Sequence, residues 1–225
     1  MRQLTRKAGQ FVHQANEQEL RAAVKSIILA KHADDHNTRI LDELALRHGA
    51  ARVDIAVVNG SIHGFELKSD RDNLKRLQHQ IHIYDSVLDK VTLIVGVRHV
   101  DKALEAVPAW WGVTIAENKG VALVDFETVR EPTSNPCIDP ISVCRLLWRE
   151  EALNLLAEFG AASPVRHKAR AAIYARLAEV ADLETIQQRV RHQLRSRTSW
   201  RSGPLRSLRD DLSRRELTFP HCRNP

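Results

Sequence analysis

Residues 52–69 read RVDIAVVNGSIHGFELKS: two runs rich in β-branched and apolar residues, joined at Asn59–Gly60. An Asn-Gly pair between two such runs is a strong hairpin signal. The hairpin dictates much of the rest. RILDELAL (39–46) precedes it as a third strand candidate. Residues 72–88 follow it with Leu74, Leu77, Ile81, Tyr84 and Leu88 at helical spacing. KVTLIVGV (90–97) is a short continuous apolar run, the pattern of a buried central strand. Upstream, Leu20, Val24, Ile27 and Ile28 mark one amphipathic helix over 16–31. Residues 99–106 suggest a short helix, and WGVTIAE and GVALVDF two more strands. The order of helix, three strands, helix, strand predicts an α/β layered fold with a partly antiparallel sheet.

REPTSNPCIDP (130–140) interrupts the pattern with three prolines and reads as a linker. Beyond it the texture is helical. We therefore expect an α/β domain over 12–130, a basic helical region over 139–200 and a flexible Arg/Ser-rich tail over 201–225. The net charge is +6, and the whole surplus lies beyond residue 138. Such asymmetry suits a polyanionic partner. Arg166, Lys168, Arg170 and Arg195 are the candidate phosphate contacts, nonspecific in character because no recognition-helix pattern accompanies them. The three cysteines form no CxxC pair, which argues against a thiolate zinc site and a disulfide framework and makes plain reduced cysteines the expectation. No apolar run is long enough for a membrane helix, and no apolar stretch follows the basic start. A cytoplasmic protein without membrane association is the expectation.

Glu66 and Lys68 stand two apart at the end of the second hairpin strand, so they share a face, while Phe65 and Leu67 take the other. Asp54 lies in the first strand. Register decides whether it joins them. A two-residue Asn59–Gly60 loop pairs 58 with 61 and 54 with 65, which turns Asp54 away from Glu66. A loop of odd length, or a bulge, brings all three to one face. Two converging carboxylates repel, and a divalent cation relieves the repulsion. All-oxygen ligation suits Mg²⁺ or Mn²⁺. Such a cation can activate water and stabilise a phosphoryl oxygen, while Lys68 orients the water or neutralises developing charge. This is chemistry for phosphodiester hydrolysis.

Asp54 followed by Glu66-Leu67-Lys68 resembles the PD-(D/E)xK nuclease superfamily, as does the order of elements. More finely, DELALRHGAARVDIAVVNGSIHGFELKSDRDNLKRLQHQIHIYDSVLDKVTLIVG, with VPAWWG and LLWREEAL further on, is similar to the sce7726 family of bacterial proteins over most of residues 17–200. Val53 stands where the motif name has proline. The resemblance implies a restriction-endonuclease-like core and a metal-dependent DNA endonuclease. Asp54 and Glu66 would hold the metal, and Lys68 would act on the water. It also implies a role for Gln80, on the helix after the ExK strand, and for an upstream acid. Glu43 and Glu19 both qualify for the latter. Glu43 is preferred because it sits inside an apolar stretch, where an unpaired charge is costly. A homodimer fits the same reading, since cutting both strands of a duplex takes two sites.

Other features point to ordinary roles. HADDH (32–36) reads as a solvated loop, His79 and His82 as surface histidines, and Trp110–Trp111 as buried anchors. The rival functional reading keeps the nuclease fold as a DNA-binding or scaffolding protein without turnover. A third is a transcription regulator built on the C-terminal helices.

Overall fold

In the computed structural model of the chain, which describes residues 17–120 and 123–197, six strands form one mixed sheet in the order β1-β2-β3-β4-β5-β6. The elements run α1 (Glu17–Lys31), β1 (Arg39–Leu46), β2 (Ala51–Val58), β3 (Ile62–Lys68), α2 (Leu77–Asp85), β4 (Lys90–Gly96), α3 (Val100–Ala106), β5 (Gly112–Gly120) and β6 (Leu123–Arg130). Four helices follow: α4 (Pro140–Cys144), α5 (Arg149–Glu158), α6 (Arg170–Val180) and α7 (Leu183–Ser196). β3, β4 and β5 run parallel, and the outer pairings are antiparallel. The mixed α/β expectation therefore holds. β3 and β4 are almost wholly buried along their length, as continuous apolar runs require.

The two faces of the sheet are covered unequally. α1 lays Leu20, Val24 and Ile28 against Ile55, Val57, Leu67 and Ile94. The other face carries the larger core, which includes residues from α2 and from α4 to α7. The proline-rich segment is pinned rather than slack. The Asn135 side chain donates to the carbonyls of Asp85 and Leu88, both at 2.7 Å. The backbone N–H groups of Thr133 and Asp139 bond to the Trp110 and Ser86 carbonyls. Trp110 and Trp111 are buried, and the Trp111 indole donates to Asp85. Cys144 is a buried free thiol. Cys137 is disulfide-bonded, against the expectation of reduced cysteines. No helix among the described residues is long and apolar enough to cross a membrane. The expected tail over 201–225 lies outside the described residues.

α2 is shorter than the helical spacing suggested. Asp72 turns back to accept from both the backbone N–H and the hydroxyl of Ser69, and the Asn73 side chain accepts from Lys75 N–H. These side-chain bonds hold 69–75 as turns, in competition with a helical first turn.

Two local departures place the site. The first is the hairpin loop. Val58 pairs with Ile62 and Ile55 with Phe65, so the loop has three residues, Asn59 to Ser61, and not two. The Asn59 side chain accepts from Ser61 N–H, closing the turn without a left-handed residue. Continued one step past Ile55–Phe65, this register turns Asp54 to the face that carries Glu66. The second is Glu43, a non-glycine residue at φ 54° in the middle of β1. The kink breaks the alternation, so that both Leu41 and Leu44 face the larger core. It also re-aims Glu43, as irregularities beside functional sites commonly do.

Candidate functional site

A cleft of about 390 Å³ opens beside the ends of β2 and β3. Glu43, Asp54, Glu66, Lys68 and Gln80, all singled out from sequence, line it together. Glu17, rather than Glu19, supplies the carboxylate from α1.

Beyond Ile55–Phe65 the β2–β3 ladder opens. The Leu67 N–H donates to Asp54 Oδ2 at 2.8 Å, in place of a carbonyl of β2. Asp54 Oδ1 accepts from Arg21 Nη2 at 2.7 Å, and Arg21 Nη1 donates to the Asp54 carbonyl at 3.0 Å. The same Nη2 lies 2.8 Å from Glu43 Oε1 and 3.6 Å from Glu17. Burial lowers the affinity of Arg21 for its proton, but Asp54 and then Glu43 outweigh it and raise the pKa. Glu43 is not the buried charge expected from its apolar neighbours, for its side chain is 46% exposed. It reaches the cleft through the backbone kink.

Glu66 is different in kind. It is 1% exposed, and Lys68 is 7% exposed. Lys68 Nζ and Gln80 Nε2 both donate to Glu66 Oε1, at 2.5 and 2.6 Å. The Tyr84 hydroxyl lies 2.6 Å from Oε2 and 2.5 Å from the Arg52 carbonyl. Burial, and then the Asp54 charge, push the Glu66 carboxyl above the ordinary carboxylate range, against the pull of Lys68. Burial and Glu66 together raise the Tyr84 phenol. Gln80 Oε1 is buried without a hydrogen-bond partner among the described residues.

Besides Glu17, Tyr84 and Arg21 are members of the cluster that were missed in the sequence. Tyr84 looked like one more apolar position of α2. Arg21 carried only a local signal, the i,i+4 pairing with Glu17.

The donor set is chemically suited to a hard divalent cation. Asp54 Oδ1 and Glu43 Oε1, from different strands, converge within 2.8 Å of one nitrogen, so one cation can bridge them. The described residues hold no ready-made cluster of three His, Cys, Asp or Glu side chains around a point, and Glu66 presently faces Lys68, Gln80 and Tyr84.

The candidate phosphate contacts divide. Arg166, Lys168 and Arg170 are exposed. The carbonyls of Arg166 and Lys168 accept from the Arg149 guanidinium, which shapes their turn. Arg170 lies near His48, whose pKa is lowered by burial, then by Arg170 and Arg145. His48 stacks on Tyr174 and adjoins Gly49–Ala51 of the cleft wall. Arg195 is half-buried and donates to the Asn59 carbonyl at 2.7 Å, while its own carbonyl accepts from Arg39. The bond to Asn59 fastens α7 to the hairpin loop.

Among known proteins, Protein cII of Enterobacteria phage P4 is 28% identical over 144 residues, which are 64% of this chain and 54% of that protein. The chain thus spans about half the length of the relative it matches. A solved protein of unknown function from Silicibacter pomeroyi is similar over 63% of this chain and 90% of its own, at 21% identity and a TM-score of 0.36. The family described as Bacteriophage P4 protein cII matches residues 11–217. That match takes in every cleft residue named above, and the chain belongs to the bacteriophage P4 protein cII family.

Proposed function

We propose that the chain is a Mg²⁺- or Mn²⁺-dependent nuclease of the PD-(D/E)xK type, acting on DNA. One observation carries the reading. Asp54, Glu66 and Lys68 line one cleft, and Lys68 lies 2.5 Å from Glu66. The order of α1, β1, β2, β3, α2 and β4 supports reading the core as restriction-endonuclease-like, and the sequence likeness to the sce7726 family points the same way.

Asp54 and Glu66, with Glu43 assisting, would hold the cation. When bound, it supplies a Lewis acid for a phosphoryl oxygen and lowers the pKa of a water. The chain's own residues do the rest. Lys68 keeps Glu66 compensated in a buried site and places a positive charge beside the reacting centre. Gln80 orients Glu66 through Nε2 and has its Oε1 free to accept from a water. Tyr84 fixes the second oxygen of Glu66. Arg166, Lys168 and Arg170, all exposed, suit the backbone of a nucleic acid. Attack on both strands of a duplex would bring two chains together.

A second reading has its own support. Arg21 already neutralises Asp54 and Glu43, which suits a nuclease fold that binds DNA without cutting it. A cleavage assay separates the two. Supercoiled, linear and single-stranded DNA would be incubated with Mg²⁺ or Mn²⁺ and the wild type, Glu66→Ala or Lys68→Ala. Metal-dependent cutting lost in both variants establishes the nuclease. Metal-independent binding with no cutting, unchanged by either substitution, establishes the binding protein.

A further inference from the structure

We infer that Arg21 is a resident counter-cation, occupying the place between Asp54 and Glu43 that a divalent metal must take from it. The inference rests on the nuclease reading and concerns how metal occupancy is controlled. Five carboxylates line the cleft, Glu17, Glu43, Asp54, Glu66 and Asp72, and Asp72 is held by the backbone N–H and hydroxyl of Ser69. Lys68 is committed to Glu66. The remaining three fall to Arg21, at 3.6, 2.8 and 2.7 Å from a single nitrogen.

The competition is for particular lone pairs. Asp54 Oδ2 is already taken by the Leu67 N–H. Oδ1, the oxygen left for a metal, is the one that Arg21 holds. A cation ligated at about 2 Å and a guanidinium nitrogen at 2.7 Å cannot both lie between Asp54 Oδ1 and Glu43 Oε1. Repulsion between the two positive charges adds to the steric conflict. Arg21 is equipped to leave, because its side chain is 24% exposed and stems from a surface helix. Lys68, buried at 7% exposure, is not. Arg21 thus keeps the metal-free fold free of mutual carboxylate repulsion and raises the metal concentration needed to load the site. It is a positioning residue, not a catalytic one.

The test is Mn²⁺ binding by calorimetry, with thermal unfolding in EDTA and in Mn²⁺ alongside, on the full chain. The variants are Arg21→Gln, Arg21→Lys and Asp54→Asn. Arg21→Gln should bind Mn²⁺ about tenfold more tightly than the wild type, the combined worth of two partly exposed ion pairs. It should unfold at lower temperature than the wild type in EDTA and recover the difference in Mn²⁺. Arg21→Lys keeps the charge and should stay within about threefold of the wild type. Unchanged or weaker Mn²⁺ binding by Arg21→Gln, with binding abolished by Asp54→Asn, overturns the role of Arg21 and leaves the metal site standing. Absence of Mn²⁺ binding in the wild type and in Arg21→Gln alike overturns both.

Discussion

Replacing Lys68 by methionine tests whether the Glu66–Lys68 pair is as enclosed as it looks. The substitution keeps the length of the stem and removes the ammonium. Glu66, 1% exposed, then keeps only the neutral donors Gln80 and Tyr84 and still feels Asp54. Breaking a buried pair in this way costs roughly 3–5 kcal/mol. Glu66 has an escape, because its carboxyl is already pushed above the ordinary range. A carboxyl raised in the folded state adds stability that is present below its unfolded pKa, about 4.3, and lost as pH rises through its folded value. As pH falls the stranded carboxyl takes a proton more readily than an ordinary carboxyl, and the penalty shrinks. As pH rises it ionises, and a cost of about 3 kcal/mol lowers the melting temperature by about 6–12 °C in a chain of this size. Calorimetric unfolding of wild type and Lys68→Met at pH 5 and pH 8, in EDTA, reads both values. The double variant Lys68→Met/Glu66→Gln has no charge left to strand, so it should regain most of the loss and show no added pH trend. A cost below about 1 kcal/mol at pH 8, equal at pH 5, would mean that water reaches the pair, and the argument from burial would fail.

His63 and Asp85 should oppose one another in acid. Burial, then Lys90, Lys31 and His32, push His63 down to about 4, so it contributes stability above its unfolded pKa near 6.5 that is lost as pH falls through 4, up to about 3 kcal/mol. Burial pushes Asp85 up to about 6; its contribution is present below about pH 4 and lost as pH rises through 6, roughly 1–2 kcal/mol for a group still partly solvated. Denaturant titrations from pH 4 to 7 should therefore show His63→Gln flattening the acid-side loss and Asp85→Asn steepening it; parallel curves for all three proteins would refute both assignments. Arg170→Ala should weaken DNA binding across sequences and reduce the slope of log K against log salt by about 0.9, whereas Arg195→Ala should leave that slope alone and cost about 1 kcal/mol of stability. Fluorescence anisotropy over a salt series, with melting curves, distinguishes them, and a change of slope for Arg195→Ala would make it a phosphate contact as well.

The elements were readable because each strand and helix announces itself locally. Ile55, Val57, Val91, Leu93 and Val95 sit in runs whose period has few other solutions. The hairpin was readable only halfway. Asn-Gly marks a turn, but whether two or three residues form it depends on Asn59 accepting from Ser61 N–H, a choice between close alternatives. That choice inverts the face of every residue on one strand. The convergence of Asp54 with Glu66 could thus be posed from sequence as a condition, and the register meets it. The kink at Glu43 had no such signal, since the left-handed region favours glycine, asparagine and aspartate over glutamate.

Tyr84 and Arg21 show why the rest of the site stayed hidden. Tyr84 keeps helical time with Leu77 and Ile81 because its ring is core. The burial that makes it look structural is what gives its hydroxyl a hold on Glu66, so burial pattern alone cannot separate the two roles. Arg21 is recognised by the opposite logic. Carboxylates gathered for a cation repel one another whenever the cation is absent. A chain that must fold before it meets metal therefore needs a positive side chain within reach of them. Lys68, two residues from Glu66, answers that need locally and was visible in the sequence. Asp54 and Glu43 lie on different strands, and their counter-charge had to come from whichever element crosses both, which is α1. The place to seek it was the exposed flank of the helix that packs Leu20 and Val24 onto the sheet, one residue beyond the first of its buried positions.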